Sequence, residues 1–163
     1  MRQKGFTLIE ILVALPIAAA ILVVVVSSFF QIVQGRVDIA QKSIAISDID
    51  NAVHWLTRDL ILAQETSLTD GAPPTSSLTI SWSDLTHWAE DEGVVDYSAS
   101  YVLSGNQLVR TYNGEETIVG RYLTDFDISL EGKMFTVVLT SQPGMPGSTV
   151  TRSFSVEMRS DLE

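Results

Sequence analysis

The strongest constraint on this chain is an apolar segment near its N-terminus, which runs from Ile11 to Phe30 without a charged residue. These twenty residues would form a helix about 30 Å long, which matches the hydrocarbon core of a bilayer. The segment exceeds the roughly 7–15 apolar residues of a secretory signal peptide. Ser27 and Ser28 leave signal cleavage open as an alternative. The sequence therefore predicts a membrane-spanning helix.

Two cations, Arg2 and Lys4, precede the apolar segment. Because cytoplasmic flanks of membrane helices are enriched in Lys and Arg, we expect the N-terminus in the cytoplasm. Everything after Phe30 is then expected outside the cell (inner) membrane, as the C-terminal part of a single-pass protein.

A single carboxylate, Glu10, lies at the head of the apolar segment. A charged side chain inside a membrane helix costs about 2.5–3.5 kcal/mol on insertion scales, so a carboxylate there is expected to have a partner and a function. One interpretation is structural. The spacing Thr7-x-x-Glu10 is that of a capping box, in which both side chains bind free backbone amides at the helix start.

A second interpretation comes from the residues around Glu10. The segment Lys4–Glu10, with the sequence KGFTLIE, resembles the cleavage and methylation motif of type IV prepilins and type II secretion pseudopilins. The resemblance implies that a membrane prepilin peptidase reads Gly5, cuts between Gly5 and Phe6, and methylates the new N-terminus on Phe6. It also implies other partners: pilin or pseudopilin subunits, an inner-membrane assembly platform and membrane lipid.

Cleavage would give Glu10 a cationic partner. The new α-amine on Phe6 is protonated below its pKa of about 8. Glu10 lies four residues later, on the same helical face. The resemblance implies that pairing between subunits registers each newcomer in the filament, so Glu10 is the expected assembly carboxylate. The capping box and this pairing are compatible, and Glu10 can take part in both.

The helix is expected to continue beyond the membrane. Pro16 lacks the N–H that would bond the Leu12 carbonyl, which predicts a local kink. From Gln31 the pattern becomes amphipathic and predicts one helix from Phe6 to about Glu65, with its second half packed on a sheet. The apolar positions at helical spacing are Val37, Ile44, Ile49, Val53, Leu56, Leu60 and Ala63.

Short β-type runs separated by turn signals follow the helix, and they predict an antiparallel meander covered by it. Asn113-Gly114 is the strongest hairpin signal. The fold class is therefore α+β, and the resemblance implies the same pilin-like plan. The predicted strands are Leu78–Trp82, Tyr97–Leu103, Gln107–Tyr112, Glu116–Val119, Phe126–Leu130, Phe135–Thr140 and Val150–Met158.

Four segments are expected along the chain. They are a leader (1–5), a transmembrane and assembly half of the helix (6–33), an amphipathic half (34–66) and an extracytoplasmic antiparallel β domain (67–163). Two short segments, Leu56–Leu60 and Leu123–Phe126, resemble features of W-type minor pilins and J-type pseudopilins.

Composition argues against several other functions. The chain has ten Lys and Arg against twenty Asp and Glu, a net charge of −10, which repels phosphate backbones and disfavours direct nucleic-acid binding. It has no cysteine, which excludes thiolate metal sites and disulfides. His54 and His87 show no zinc-site spacing. No enzyme, metal or cofactor is expected.

Two weaker candidates lie in the β region. Glu90–Glu92 and the pair Asp125 and Asp127 could offer oxygens to calcium, but they match no EF-hand pattern, so a solvated acidic surface is favoured. Trp82 and Trp88 could form an exposed contact patch, although core packing is the default for tryptophan.

The expected function is that of a structural subunit, a minor pilin or pseudopilin of a type IV pilus or type II secretion-like filament. The alternative is a single-pass anchored module whose extracytoplasmic β domain binds a ligand without polymerising.

Overall fold

One α-helix, α1, runs from Leu8 to Leu62 in the computed structural model, which describes residues 7–84, 95–144 and 148–158. The contacts between residues divide the chain into two units, residues 1–40 and 41–163. α1 contributes to both, so the predicted long N-terminal helix is confirmed. Pro16 lies inside the helix, and its predicted kink stays a prediction.

Residues 8–40 of the first unit lie in α1. Every side chain from Thr7 to Gln34 is exposed. By length and composition, this part of α1 is apolar enough to cross a membrane. The Ser28 hydroxyl donates to the Val24 carbonyl at 2.8 Å, so this polar group is satisfied within the helix.

The second unit contains two antiparallel sheets. The order in one is β1-β2-β3-β4-β5, and in the other β6-β7-β8. All their described strand pairs are antiparallel. The strands are β1 (Glu65–Thr66), β2 (Ser77–Asp84), β3 (Val95–Ser104), β4 (Gln107–Tyr112), β5 (Glu115–Gly120), β6 (Leu123–Glu131), β7 (Met134–Ser141) and β8 (Val150–Glu157).

The α+β class and the antiparallel pairing are as predicted, whereas the single meander is wrong because the chain changes sheet after β5. Backbone amides at this corner bind groups other than a hairpin partner. The Tyr122 N–H donates to the Asp48 carboxylate of α1 at 3.2 Å, and the Leu123 N–H donates to the Asn106 carbonyl at 3.0 Å. β1 was not predicted, since two residues carry no periodic signal.

The hairpin predicted at Asn113-Gly114 is confirmed. Tyr112 and Glu115 are paired across the turn, and both central residues have positive φ, +49° at Asn113 and +85° at Gly114. This is the conformation of a type I′ turn, which asparagine followed by glycine adopts readily.

A buried stripe of α1 packs on both sheets. The largest buried sheet residues in this core include Tyr101, Phe126 and Phe135. The predicted apolar face is only partly correct, because Val37 and Ile44 are each 42% exposed. Small Ala45 and Ala52 lie in the contact instead, which lets the helix approach closely. The buried α1 residues are Ala45, Ile49, Ala52, Leu56, Asp59 and Leu60.

Gly120, at the end of β5, is required by packing. A Cβ there would lie 2.5 Å from Cδ1 of Leu123, whose side chain is fully buried. Gly120→Ala is therefore expected to lower the free energy of unfolding by about 1–3 kcal/mol, the usual cost of overpacking. Denaturant unfolding would measure it. Thr117→Ala, at an exposed position of β5, is the control, and an equal loss there would contradict the packing explanation.

Candidate functional site

The start of α1 is closed by Thr7 and Glu10. The Thr7 N–H and hydroxyl donate to Oε2 of Glu10 at 2.9 and 2.8 Å, and the Glu10 N–H donates to the Thr7 hydroxyl at 3.4 Å. The Thr7 carbonyl accepts from the Glu10 and Ile11 amides at 3.1 and 3.3 Å. These reciprocal bonds form the capping box predicted from the spacing.

The capping box leaves Glu10 with unused capacity to accept hydrogen bonds. Both of its accepted bonds end on Oε2, and no described residue donates to Oε1. A carboxylate has about four lone-pair sites on its two oxygens. The Glu10 side chain is also exposed. The arrangement therefore allows a cation to bind while the cap stays closed.

Gly5 and Phe6, the predicted cleavage and methylation positions, lie outside the described residues. The apolar surface on both sides of Glu10 is described, and its side chains are exposed from Leu8 to Val33. Apolar surface of this extent requires lipid or other protein around it.

A second cluster, which sequence reasoning missed, lies in the core of the second unit. Asp59 of α1 is 1% exposed and Arg110 of β4 is 8% exposed. Arg110 binds Asp59 through two nitrogens, Nε to Oδ2 at 2.6 Å and Nη2 to Oδ1 at 3.1 Å. Tyr101 of β3, the register partner of Arg110, donates its hydroxyl to Oδ2 of Asp59 at 2.6 Å. We call these three residues the Asp59 cluster.

The Asp59 cluster joins α1 to the five-stranded sheet. Burial of a charge is costly, and a fork of two hydrogen bonds is the geometry that offsets the cost best. Burial alone lowers the pKa of Arg110, but the hydrogen bond and charge of Asp59 outweigh it and the pKa is raised. The Arg110 guanidinium therefore keeps its charge inside the core.

Asp59 could have been found from the sequence. It lies three residues after Leu56 and four before Ala63, both core positions, so it falls on the apolar stripe of the helix. A carboxylate in that phase needs a buried partner. Nothing in the sequence identifies Arg110 and Tyr101 as those partners, because the contacts depend on the pairing of β3 with β4.

Burial, together with the hydrogen bond to the Asp59 carboxylate, raises the pKa of Tyr101 above its ordinary value. In the unfolded chain this phenol loses its proton near pH 10. The folded state therefore binds more protons above that pH, and stability is expected to fall as the pH rises past about 10. Denaturant unfolding from about pH 8 to about pH 11, a range that brackets the pKa of the unfolded chain, would measure how the free energy of unfolding changes with pH.

Tyr101→Phe is the matched variant for this pH dependence. It should unfold with a smaller alkaline slope, and it should lose about 1.5–3 kcal/mol at neutral pH because Asp59 loses a hydrogen-bond donor. An unchanged slope in this variant would assign the alkaline effect to other groups.

The remaining sequence candidates are placed as follows. Trp82 is half-buried and packs against the core, while His54 is exposed beside Trp55. Asp125 is exposed and Asp127 half-buried. Within the described ranges, no group of three or more metal-binding side chains comes together. His87, Trp88 and Glu90–Glu92 lie outside those ranges.

Comparison with known proteins bears on the N-terminal segment. Residues 1–29 match the family model described as the prokaryotic N-terminal methylation motif. No curated protein and no solved structure matches the chain. The predicted prepilin-type motif is thereby confirmed, and the match supports a type IV pilin-like family, whereas the W-type or J-type subgroup is not confirmed.

The motif carries implications for partners and location. It implies processing by a prepilin peptidase and pilin-type subunits as partners. Together with the apolar helix, it supports membrane anchoring. It is typical of structural subunits.

Proposed function

We propose that this chain is a minor pilin or pseudopilin of a type IV pilus or a type II secretion-like filament. It is made as a membrane-inserted precursor, cut between Gly5 and Phe6, methylated on Phe6 and assembled through α1. The observation that carries the proposal is the match of residues 1–29 to the methylation motif, a segment that includes the first part of the exposed apolar helix.

The exposed first unit supports assembly through the helix. Side chains from Leu8 to Val33 lie uncovered, so a bilayer must surround them before assembly and other subunits afterwards. The transfer from lipid to a bundle of helices is possible because apolar side chains are compatible with both surroundings. The peptidase and an inner-membrane assembly platform are the proposed partners for the two steps.

Glu10 is the proposed assembly carboxylate. Its free Oε1 can accept a hydrogen bond from an ammonium group while Oε2 stays within the capping box. Cleavage after Gly5 supplies that ammonium group on Phe6, and in low dielectric the attraction between the two charges is strong. The N-terminus is proposed to lie on the cytoplasmic side, with the second unit outside the membrane.

Mass spectrometry of the N-terminal peptide tests the processing. The protein isolated from the membrane of a cell that contains the peptidase is expected to begin at an N-methylated Phe6. A Gly5→Leu chain is the matched control, and it is expected to keep residues 1–5. A wild-type chain that still begins at Met1 or Arg2 would overturn the proposal and would favour an anchored binding module.

A further inference from the structure

A cavity of about 440 Å³ lies beside the Asp59 cluster, between α1 and strands β2 to β4 of the second unit. Its volume falls within the range of small-molecule sites, about 300–1,000 Å³. Aromatic and cationic side chains dominate its walls. The lining residues are Trp55, Arg58, Asp59, Leu62, Trp82, Tyr97, Arg110 and Tyr112.

Arg110 lines this cavity and has hydrogen-bond donors that no described residue uses. Its Cζ lies 4.8 Å from the ring centroid of Trp55 and 4.6 Å from that of Tyr112. Asp59 and Tyr101 occupy only Nε and Nη2. No described residue accepts from Nη1, although the Arg110 side chain is only 9% exposed. A guanidinium group carries five N–H donors, so this side chain can bind a further acceptor.

Three half-buried rings form the aromatic wall of the cavity. Trp82, Tyr97 and Tyr112 come from three neighbouring strands, with centroids 6.0–6.2 Å apart and planes within 25° of one another. Within the described ranges, neither Tyr97 nor Tyr112 uses its hydroxyl in a hydrogen bond. The wall therefore combines apolar ring surface with unpaired hydroxyl groups.

Among the described residues that line the cavity, the charge favours an anion. Asp59 offsets Arg110, and the exposed Arg58 adds one further cation, with Cζ 5.6 Å from the Trp55 centroid. This balance contrasts with the net charge of −10 over the whole chain. Both arginines line the cavity, so a ligand with a carboxylate would be attracted to Arg110 and to Arg58.

Most of the strand backbone beneath the cavity is already paired. β3 and β4 are interior strands of the five-stranded sheet. β4 is paired on both sides, and β3 is paired on both sides from Ala99 to Ser104, whereas Tyr97 pairs with Trp82 of β2 alone. An extended peptide would need a free strand edge for its own backbone. Recognition here depends on rings, phenol hydroxyls and guanidinium groups, which suit a ring-shaped ligand that carries hydroxyls and a carboxylate.

We propose that this cavity binds an acidic saccharide, with the sugar ring against Trp82, Tyr97 and Tyr112 and its carboxylate at Nη1 of Arg110 and at Arg58. The proposal does not depend on filament assembly. It assigns a ligand class to the second unit in addition to the structural role of the helix.

Titration of the full chain in detergent micelles tests the proposal. The probe is the trisaccharide of galacturonic acid, followed by tryptophan fluorescence, since Trp55 and Trp82 line the cavity. Its methyl ester has the same rings without the charges and is the matched ligand control. The acid is expected to bind at least about tenfold more tightly, as loss of a charged hydrogen bond predicts. Equal binding of the ester would overturn the role of the carboxylate.

Variants locate the binding. Arg110→Lys keeps the charge beside Asp59 but removes the planar fork, and it is expected to weaken binding about tenfold or more. Because Arg110 is also part of the core, the exposed Arg58→Gln is the second variant, with an expected loss of several-fold. Arg121→Gln removes another exposed arginine away from the cavity and is expected to change nothing. An equal loss of binding in Arg121→Gln would show that the overall charge of the protein, and not the cavity, accounts for the effect.

A peptide ligand is the competing outcome. Triglutamate carries the same carboxylates on a peptide backbone. If it bound as tightly as the trisaccharide, or if neither bound, the saccharide proposal would be overturned.

Discussion

Asp59→Ala is expected to lower the free energy of unfolding of the second unit by about 3–5 kcal/mol, the typical cost of removing one partner of a buried ion pair. The loss of stability comes from the two partners of Asp59 that remain buried in the core. Arg110 is 8% exposed, and without Asp59 its charge has no anion within the cluster. Tyr101 also loses the acceptor of its 2.6 Å hydrogen bond. Denaturant unfolding followed by tryptophan fluorescence would measure the loss.

The chain provides a matched control in a surface ion pair of the same type. Asp50 of α1 pairs with Arg152 of β8, and both side chains are about half exposed. Asp50→Ala is expected to cost less than about 1 kcal/mol, since water screens exposed pairs. A similar loss in the two variants would show that burial does not decide the energy of the Asp59 cluster.

A double variant separates the cost of the unpaired charge from the value of the pair. Asp59→Leu combined with Arg110→Met removes both charges and keeps apolar volume. Replacing a whole buried pair is often neutral or stabilising. We expect the double variant to be more stable than Asp59→Ala. If the double variant were less stable than the wild-type chain, the pair itself would contribute net stability.

Glu10→Gln is expected to insert into the membrane and yet enter filaments at a level reduced about tenfold or more, since a charge-assisted hydrogen bond contributes about 1.5–3 kcal/mol. Glutamine keeps the capping box, because it serves at the third helical position as glutamate does. It lacks the negative charge that a protonated Phe6 amine requires. Quantitative immunoblotting of sheared filaments against the membrane fraction would measure incorporation.

Thr7→Val is the complementary variant. It removes the hydroxyl that now bonds Glu10 in both directions and keeps the carboxylate. The charge interpretation predicts near-normal incorporation of Thr7→Val and loss in Glu10→Gln. The opposite result would assign the function of Glu10 to the helix cap. Normal incorporation of Glu10→Ala would remove any assembly role for this residue.

Local features of the fold were readable from the sequence. The capping box, the Asn113-Gly114 turn and seven of the strands each depend on residues close together in the chain. Apolar periodicity placed Ile49, Leu56 and Leu60 in the core correctly. It failed for Val37, because periodicity identifies a stripe and not the length over which that stripe is covered. It failed for Ile44 because the neighbouring Ala45 is the residue that faces the core.

Features that join distant residues were not readable. At the change of sheet between β5 and β6, the Asp48 carboxylate accepts a hydrogen bond from the Tyr122 amide across 74 positions. Arg110 and Asp59 are 51 positions apart. Neither pairing leaves a local pattern, since their side chains meet only after α1 has packed on the strands.

The N-terminal features of this protein can be read from its sequence alone: a prepilin-type motif, an apolar helix and a carboxylate at its head. These properties follow from residues within about one or two helical turns, or from a continuous run of hydrophobicity. The division into two sheets, the Asp59 cluster and the cavity beside it arise only in the folded second unit. Their energies arise from burial and from contacts between α1 and separate strands, and burial is defined only when the whole unit is folded.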